Sequence, residues 1–157
     1  MRGKSLGAVL IGVLVVALSV GCGGDGDSDA TADSQTPRPL FLKKGNAICL
    51  QNVEEVKKDY SKFIEGHGGP KAAFDDPESV TEYVDTVVIP NKEQLIEDLR
   101  ALGAPSGDED RVDAILDAYE EGIEVAEEDP QRAGVGQGVF WYAADLSKKY
   151  ELKNCRT

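Results

Sequence analysis

Apolar residues recur at helical spacing through most of the chain. Cys49, Val53, Val56, Tyr60 and Phe63 follow one another at intervals of four, three, four and three. That is the seam of an amphipathic helix packed in a bundle. Glu54, Glu55, Lys57, Lys58 and Lys62 fill the opposite face. Gly66-His67-Gly68-Gly69-Pro70 closes the segment, because glycine supplies left-handed caps and proline cannot continue a helix. The pattern predicts a first helix from Leu40 to Glu65.

Asp76-Pro77-Glu78 opens the second: an N-cap acceptor, a proline whose missing donor is harmless at the first position, and an acid at the positive end of the dipole. Val80, Val84, Val87, Leu95, Leu99 and Leu102 carry its apolar face to Gly103-Ala104-Pro105. Pro90 interrupts it by removing the bond to the Thr86 carbonyl, so the helix kinks or breaks near Ile89. Asn91 with Gln94 would cap a restarted helix in the broken version.

Ser106 with Glu109 forms an S-x-x-E capping box for a third helix, whose face is Val112, Ile115, Leu116, Tyr119, Ile123 and Ala126. Asp129-Pro130 ends it. Gly134, Gly136 and Gly138 weaken the next segment, so the firm part of a fourth helix runs from Val139 to Tyr150, with Phe140, Ala143, Ala144 and Leu146 inward. Glu151 to Thr157 forms a short return carrying Leu152 and Cys155. Val84 to Ile89 is β-branched enough for a strand but has no partner. The expected fold is all-α: an antiparallel four-helix bundle over residues 39–157 with a kinked second helix.

The chain before residue 39 reads differently. Arg2 and Lys4 precede the uncharged run Leu6 to Val20, which as a helix spans about 22 Å of a hydrocarbon core about 30 Å thick. A positive start, a short apolar run and small residues describe a secretory signal peptide over residues 1–21. Leu18-Ser19-Val20-Gly21-Cys22 resembles the lipobox of bacterial lipoproteins, with Ser19 where the motif usually has leucine. The resemblance implies lipidation of Cys22 and a membrane partner reached through that lipid; the alternative is a secreted chain with Cys22 incidental. Residues 22–38 hold Gly, Asp, Ser, Thr and Ala with no aromatic or branched aliphatic side chain, a flexible acidic linker about 20 to 24 Å across. Asp25, Asp27 and Asp29 imitate a calcium loop, but Ala30 replaces its glycine and Thr36 its bidentate glutamate.

With 157 residues and a net charge of -12, the chain holds one domain able to bury a core. Its cations are dispersed among more numerous acids, which argues against nucleic acid as a partner.

Phe41 with Asn46-Ala47-Ile48-Cys49, Pro90 with Leu99-Arg100-Ala101-Leu102-Gly103-Ala104-Pro105, and Phe140 with Tyr150, Leu152 and Cys155 together resemble small uncharacterised lipoproteins of high-GC Gram-positive bacteria. The resemblance implies an exported helical domain, extracytoplasmic and lipid-anchored at the outer face of the membrane, with two paired cysteines. It brings no activity, cofactor or catalytic residue. The residues lead to the same pairing: with Cys22 assigned to lipid, Cys49 on the inward seam and Cys155 past the fourth helix remain, and export lets a disulfide persist. Two buried free thiols are the other reading.

Candidate chemistry is sparse. His67 is the single histidine, which excludes a multi-histidine metal site; in its glycine-rich loop it reads as exposed, not catalytic. No phosphate-cradling loop or nucleophile elbow occurs, and no cofactor or metal site is expected. Glu120, Glu121, Glu124, Glu127, Glu128 and Asp129 crowd the end of the third helix, where acids oppose the dipole; a solvated face accounts for them, with a divalent cation or basic partner as the alternative. Phe140, Trp141 and Tyr142 point about 100° apart on a helix, so all three cannot face one core. Packing across a wide core face is the favoured use, and exposure of Trp141 or Tyr142 as an interaction anchor the alternative. The chain therefore reads as a non-enzymatic envelope module that binds a protein, peptide or small ligand, marked by an exposed aromatic patch or an apolar groove near Pro90. A solvating acidic envelope protein, and a hydrolase using His67 with carboxylates, are the other two classes.

Overall fold

Where the apolar stripes fall, helices form. The computed structural model describes residues 36–134 and 138–155, and among these every regular element is helical. The expected signal peptide, the expected lipid site Cys22 and the expected linker up to residue 35 lie outside the described residues. Helix α1 spans Arg38–Gly66, α2 Pro70–Asp75, α3 Pro77–Tyr83, α4 Ile89–Ala101, α5 Glu109–Glu128, α6 Pro130–Gly134 and α7 Trp141–Lys149. No helix among the described residues is long and apolar enough to cross a membrane.

The first helix starts slightly before its expected boundary, with Pro37 at the N-cap. Thr36 donates its hydroxyl to the Leu102 carbonyl at 2.8 Å, and Arg38 pairs with Asp108, so the last residues assigned to the linker belong to the folded unit. The buried stripe of α1 is also rotated from the expected seam. Phe41, Gly45, Cys49, Asn52 and Phe63 are buried, whereas Val53 and Val56 are half-buried and Tyr60 is exposed. The reason lies in Gly45 and Asn52. A Cβ on Gly45 would stand 2.7 Å from Leu152 Cδ2, and Asn52 donates from Nδ2 to the Asn91 carbonyl at 2.7 Å. A small residue and a satisfied amide thus bury where apolarity alone points elsewhere.

Residues 70–75 are helical rather than loop. Pro70 takes the first position of α2, and Ala73 is buried in a secondary core with Phe63 and Val87, bordered by Phe74 and Tyr83. Asp76 then caps α3 as expected, accepting from the Glu78 amide at 3.3 Å.

Pro90 neither breaks the second segment nor starts a new one. Residues Val84–Val88 form a π-helical turn in which the Ile89 amide donates to the Val84 carbonyl, and α4 follows directly. The wider turn makes room for a ring that would otherwise collide with the carbonyl one turn back. Asn91 does not cap a restart: its Nδ2 donates to the Val87 carbonyl at 2.8 Å.

The Ser106 capping box is also corrected. Gly107 has φ +80°, incompatible with a helical first residue, and the helix starts after Asp108. The face predicted for α5 is buried throughout, from Val112 to Ala126. Helix α4 packs on α1 and α5, and α7 on α5, around a main core that includes Phe41, Leu95, Leu99, Ile115, Tyr119 and Tyr150. The C-terminal return closes over α1, with Leu152 and Cys155 both buried.

Candidate functional site

Helix α7 carries the two residues singled out for interaction. Phe140 stands at its N-cap and is buried against Gly122 of α5, where an added Cβ would meet the ring at 2.7 Å from Cε1. That close seat fixes the rotation of α7. Ala143, Ser147 and Tyr150 then face inward, and Trp141 and Tyr142 turn outward, 63% and 47% exposed. Their ring centroids are 5.7 Å apart, so the two form one continuous aromatic surface. Packing of Trp141 and Tyr142 across a wide core face, the favoured sequence reading, is therefore not what occurs: of the three aromatics Phe140 alone is buried.

Toward the C-terminal end of the same helix, α7 and the start of α5 border a groove of about 310 Å³ whose floor is Ala114, Ile115, Leu146 and Tyr150. Arg111 and Lys149 at its rim are each engaged by acids. Arg111 meets Asp108 at 3.3 Å and covers the Tyr150 ring, while Lys149 meets Asp145 at 2.6 Å. Tyr150 is clasped from two sides, since Arg38 also lies 5.2 Å from its ring centroid. The Tyr150 hydroxyl donates to Asp108 at 2.9 Å. Burial and the neighbouring carboxylate push the phenol up to about 12.

Two further grooves are polar. The one beside Pro90, about 350 Å³, is lined by Glu55, Lys58, Asp59, Thr86, Asn91 and Gln94, not by the apolar side chains expected there. Asp59 is held below the usual carboxylate range by hydrogen bonds from Lys62 and then Asn91. The groove between α4 and α5, about 440 Å³, has Glu93, Glu97, Glu120 and Glu124 around Arg100, which pairs with Glu120 at 2.7 Å. No group of three or more His, Cys, Asp or Glu among the described residues is placed to hold a metal ion.

His67 is half-buried, not an open loop residue. Its ring stacks on Phe63 with centroids 4.0 Å apart, and Nδ1 donates to the Phe63 carbonyl at 2.8 Å. Glu82 stands 3.4 Å from Nε2, and none of the three grooves contains the imidazole. Cys49 and Cys155 are joined in a disulfide, with Cα atoms 4.7 Å apart.

Three residues to which sequence reasoning gave no contact matter to this geometry. Asn46 bonds the C-terminal return, Asp108 gathers Arg38, Arg111 and Tyr150, and Lys92 lies buried between Tyr119 and Phe140. Only Asn46 left a trace, as a polar residue close to the buried stripe of a long helix. No family model, curated protein or solved structure matches the chain. The fold and the site define a disulfide-closed helical domain that presents an exposed aromatic pair at the start of α7 and an apolar groove toward its end.

Proposed function

We propose that this chain is an envelope lipoprotein, exported, anchored through lipid on Cys22, and carrying a helical-bundle module that binds another molecule through Trp141 and Tyr142. The observation that carries the reading is the joint exposure of those two rings on a helix whose rotation is fixed by Phe140. Large aromatic side chains left in water on a rigid element favour an interface, because their burial on binding releases apolar surface at little cost in side-chain entropy. Extracytoplasmic location draws support from the disulfide, which persists in oxidising compartments. Thr36 lies against Leu102 and Arg38 against Glu151 just past α7, and the aromatic pair sits at the other end of that helix, about 13 Å along it.

The test is cross-linking in intact envelopes with the lipidated protein as bait, comparing the native chain with Trp141→Ala/Tyr142→Ala. A partner captured by the native chain and lost with the double variant is the expected result; capture unchanged by the variant overturns the reading. Anchoring is tested separately. Mass spectrometry of the processed native protein should find acyl chains on Cys22, and Cys22→Ala should abolish them.

A further inference from the structure

Resting on that interaction reading, we infer that the surface formed by the α5–α7 groove and the aromatic pair takes a basic protein segment with an aliphatic anchor. On α7 the groove is lined by Leu146, Lys149 and Tyr150, and Tyr142, four residues before Leu146, continues the same flank toward the start of the helix. Across it α5 lines the groove with Asp110 and Ala114, and Glu121, seven residues beyond Ala114 and next to the Gly122 that seats Phe140, continues that flank toward the first turn of α7. Between Asp110 and Glu121 the surface is about 16 Å long, the length of a helix of about eleven residues.

Its charge selects the occupant. Both rim cations, Arg111 and Lys149, are already paired, whereas Asp110 and Glu121 are exposed and make no ion pair among the described residues. Beyond them Glu128, seven residues after Glu121, continues the same flank of α5 and is exposed. An apolar floor calls for an aliphatic side chain, and the acids along its border call for lysine or arginine on either side of it. An acidic segment would meet this border at a cost, and the negative field would speed the approach of a basic one. The same arrangement accounts for acids crowding the end of α5 against its dipole.

Trp141 is the single tryptophan of the chain, so its fluorescence reports this surface alone. The experiment titrates the full-length protein with three synthetic peptides of about twelve residues: lysines with two leucines four apart, the same peptide with serine for leucine, and the same with glutamate for lysine. The Lys/Leu peptide should shift the Trp141 emission to the blue and saturate, while the other two should not. Raising the salt should weaken binding, and Asp110→Asn/Glu121→Gln, two surface changes that leave the core intact, should weaken it by about tenfold.

Equal response to the glutamate peptide, indifference to salt, or undiminished binding by the double variant overturns the inference. An emission shift that follows the protein's own concentration without peptide also overturns it and assigns the patch to a second copy. If envelope cross-linking depends on Trp141 and Tyr142 while the Lys/Leu peptide has no effect, the basic partner is wrong and the interaction reading stands.

Discussion

Cys49 in the middle of α1 and Cys155 in the C-terminal return hold their Cα atoms 4.7 Å apart across a sequence separation of 106. Asn46, one turn earlier on the same helix, locks that approach. Its Oδ1 accepts from the Asn154 amide at 3.0 Å, its carbonyl accepts from Asn154 Nδ2 at 3.1 Å, and its own Nδ2 donates to the Glu151 carbonyl at 3.0 Å. Glu151 has φ 78°, a left-handed turn that reverses the chain after α7.

Removing the disulfide should therefore be expensive. Closing a loop of this length restricts the unfolded chain by about 4 to 5 kcal/mol in the entropic account, a large share of what such a domain has. The Cys49→Ala/Cys155→Ala variant should show a urea midpoint lowered accordingly. Thiol titration of the denatured, unreduced native protein should find neither cysteine free. A variant as stable as the native chain would show that the Asn46 clasp suffices.

Lys92 should make stability depend on pH. It is 7% exposed, with Nζ 5.6 Å from the Tyr119 ring centroid and 5.2 Å from that of Phe140, and burial pushes its pKa from 10.5 down to about 8. Between those values the unfolded chain binds more protons than the folded one, so stability rises as pH rises through that window. At neutral pH the buried ammonium costs up to about 3 kcal/mol, which contact with the two rings partly offsets. Lys92→Met should accordingly stabilise the protein by about 1 to 3 kcal/mol at pH 7 and flatten the rise. Urea titrations of both proteins at neutral and alkaline pH decide this, and a native profile without the rise would refute it.

Asp108, held by Tyr150, should make stability depend on pH on the acid side. The Tyr150 hydroxyl first, then Arg38 and Arg111, hold the Asp108 carboxyl below the usual carboxylate range. Stability from this cluster is present above the ordinary aspartate value and lost as pH falls through the lowered one. Tyr150→Phe should cost about 1 to 2 kcal/mol near neutrality, the worth of a hydrogen bond to a charged acceptor. The difference from the native chain should shrink in acid; a cost independent of pH would mean that the ring, not the hydroxyl, matters.

Pro90→Ala should change stability by less than about 1 kcal/mol, although proline inside a helix ordinarily costs about 3. The π-helical turn at Val84–Val88 already absorbs the ring, and Asn91 fixes that turn through the Val87 carbonyl. Leu95 and Leu99 are seated in the core on the far side of it. Thermal unfolding of the variant tests this: a gain of several kcal/mol would mean that the turn is imposed by Pro90 against the packing.

Helix-forming stretches, the Asp76-Pro77 start and the buried face of α5 from Val112 to Ala126 were legible in the sequence, because 3.6-residue periodicity and capping chemistry are local. The pairing of Cys49 with Cys155 was legible too, since once Cys22 is set aside as the expected lipid site two cysteines leave one pairing. What the sequence could not decide was rotation. Whether Val53 or Asn52 faces inward on α1 depends on Leu152 pressing against Gly45 and on the Asn91 carbonyl that waits for the amide, contacts made by residues far along the chain. Whether Trp141 and Tyr142 are core or surface depends in the same way on Phe140 seating against Gly122, which turns α7 by its own geometry and leaves the other two rings in water. Periodicity marks an apolar arc about 100° wide, and only the neighbours that fill one side of it choose which residues at its edges are buried.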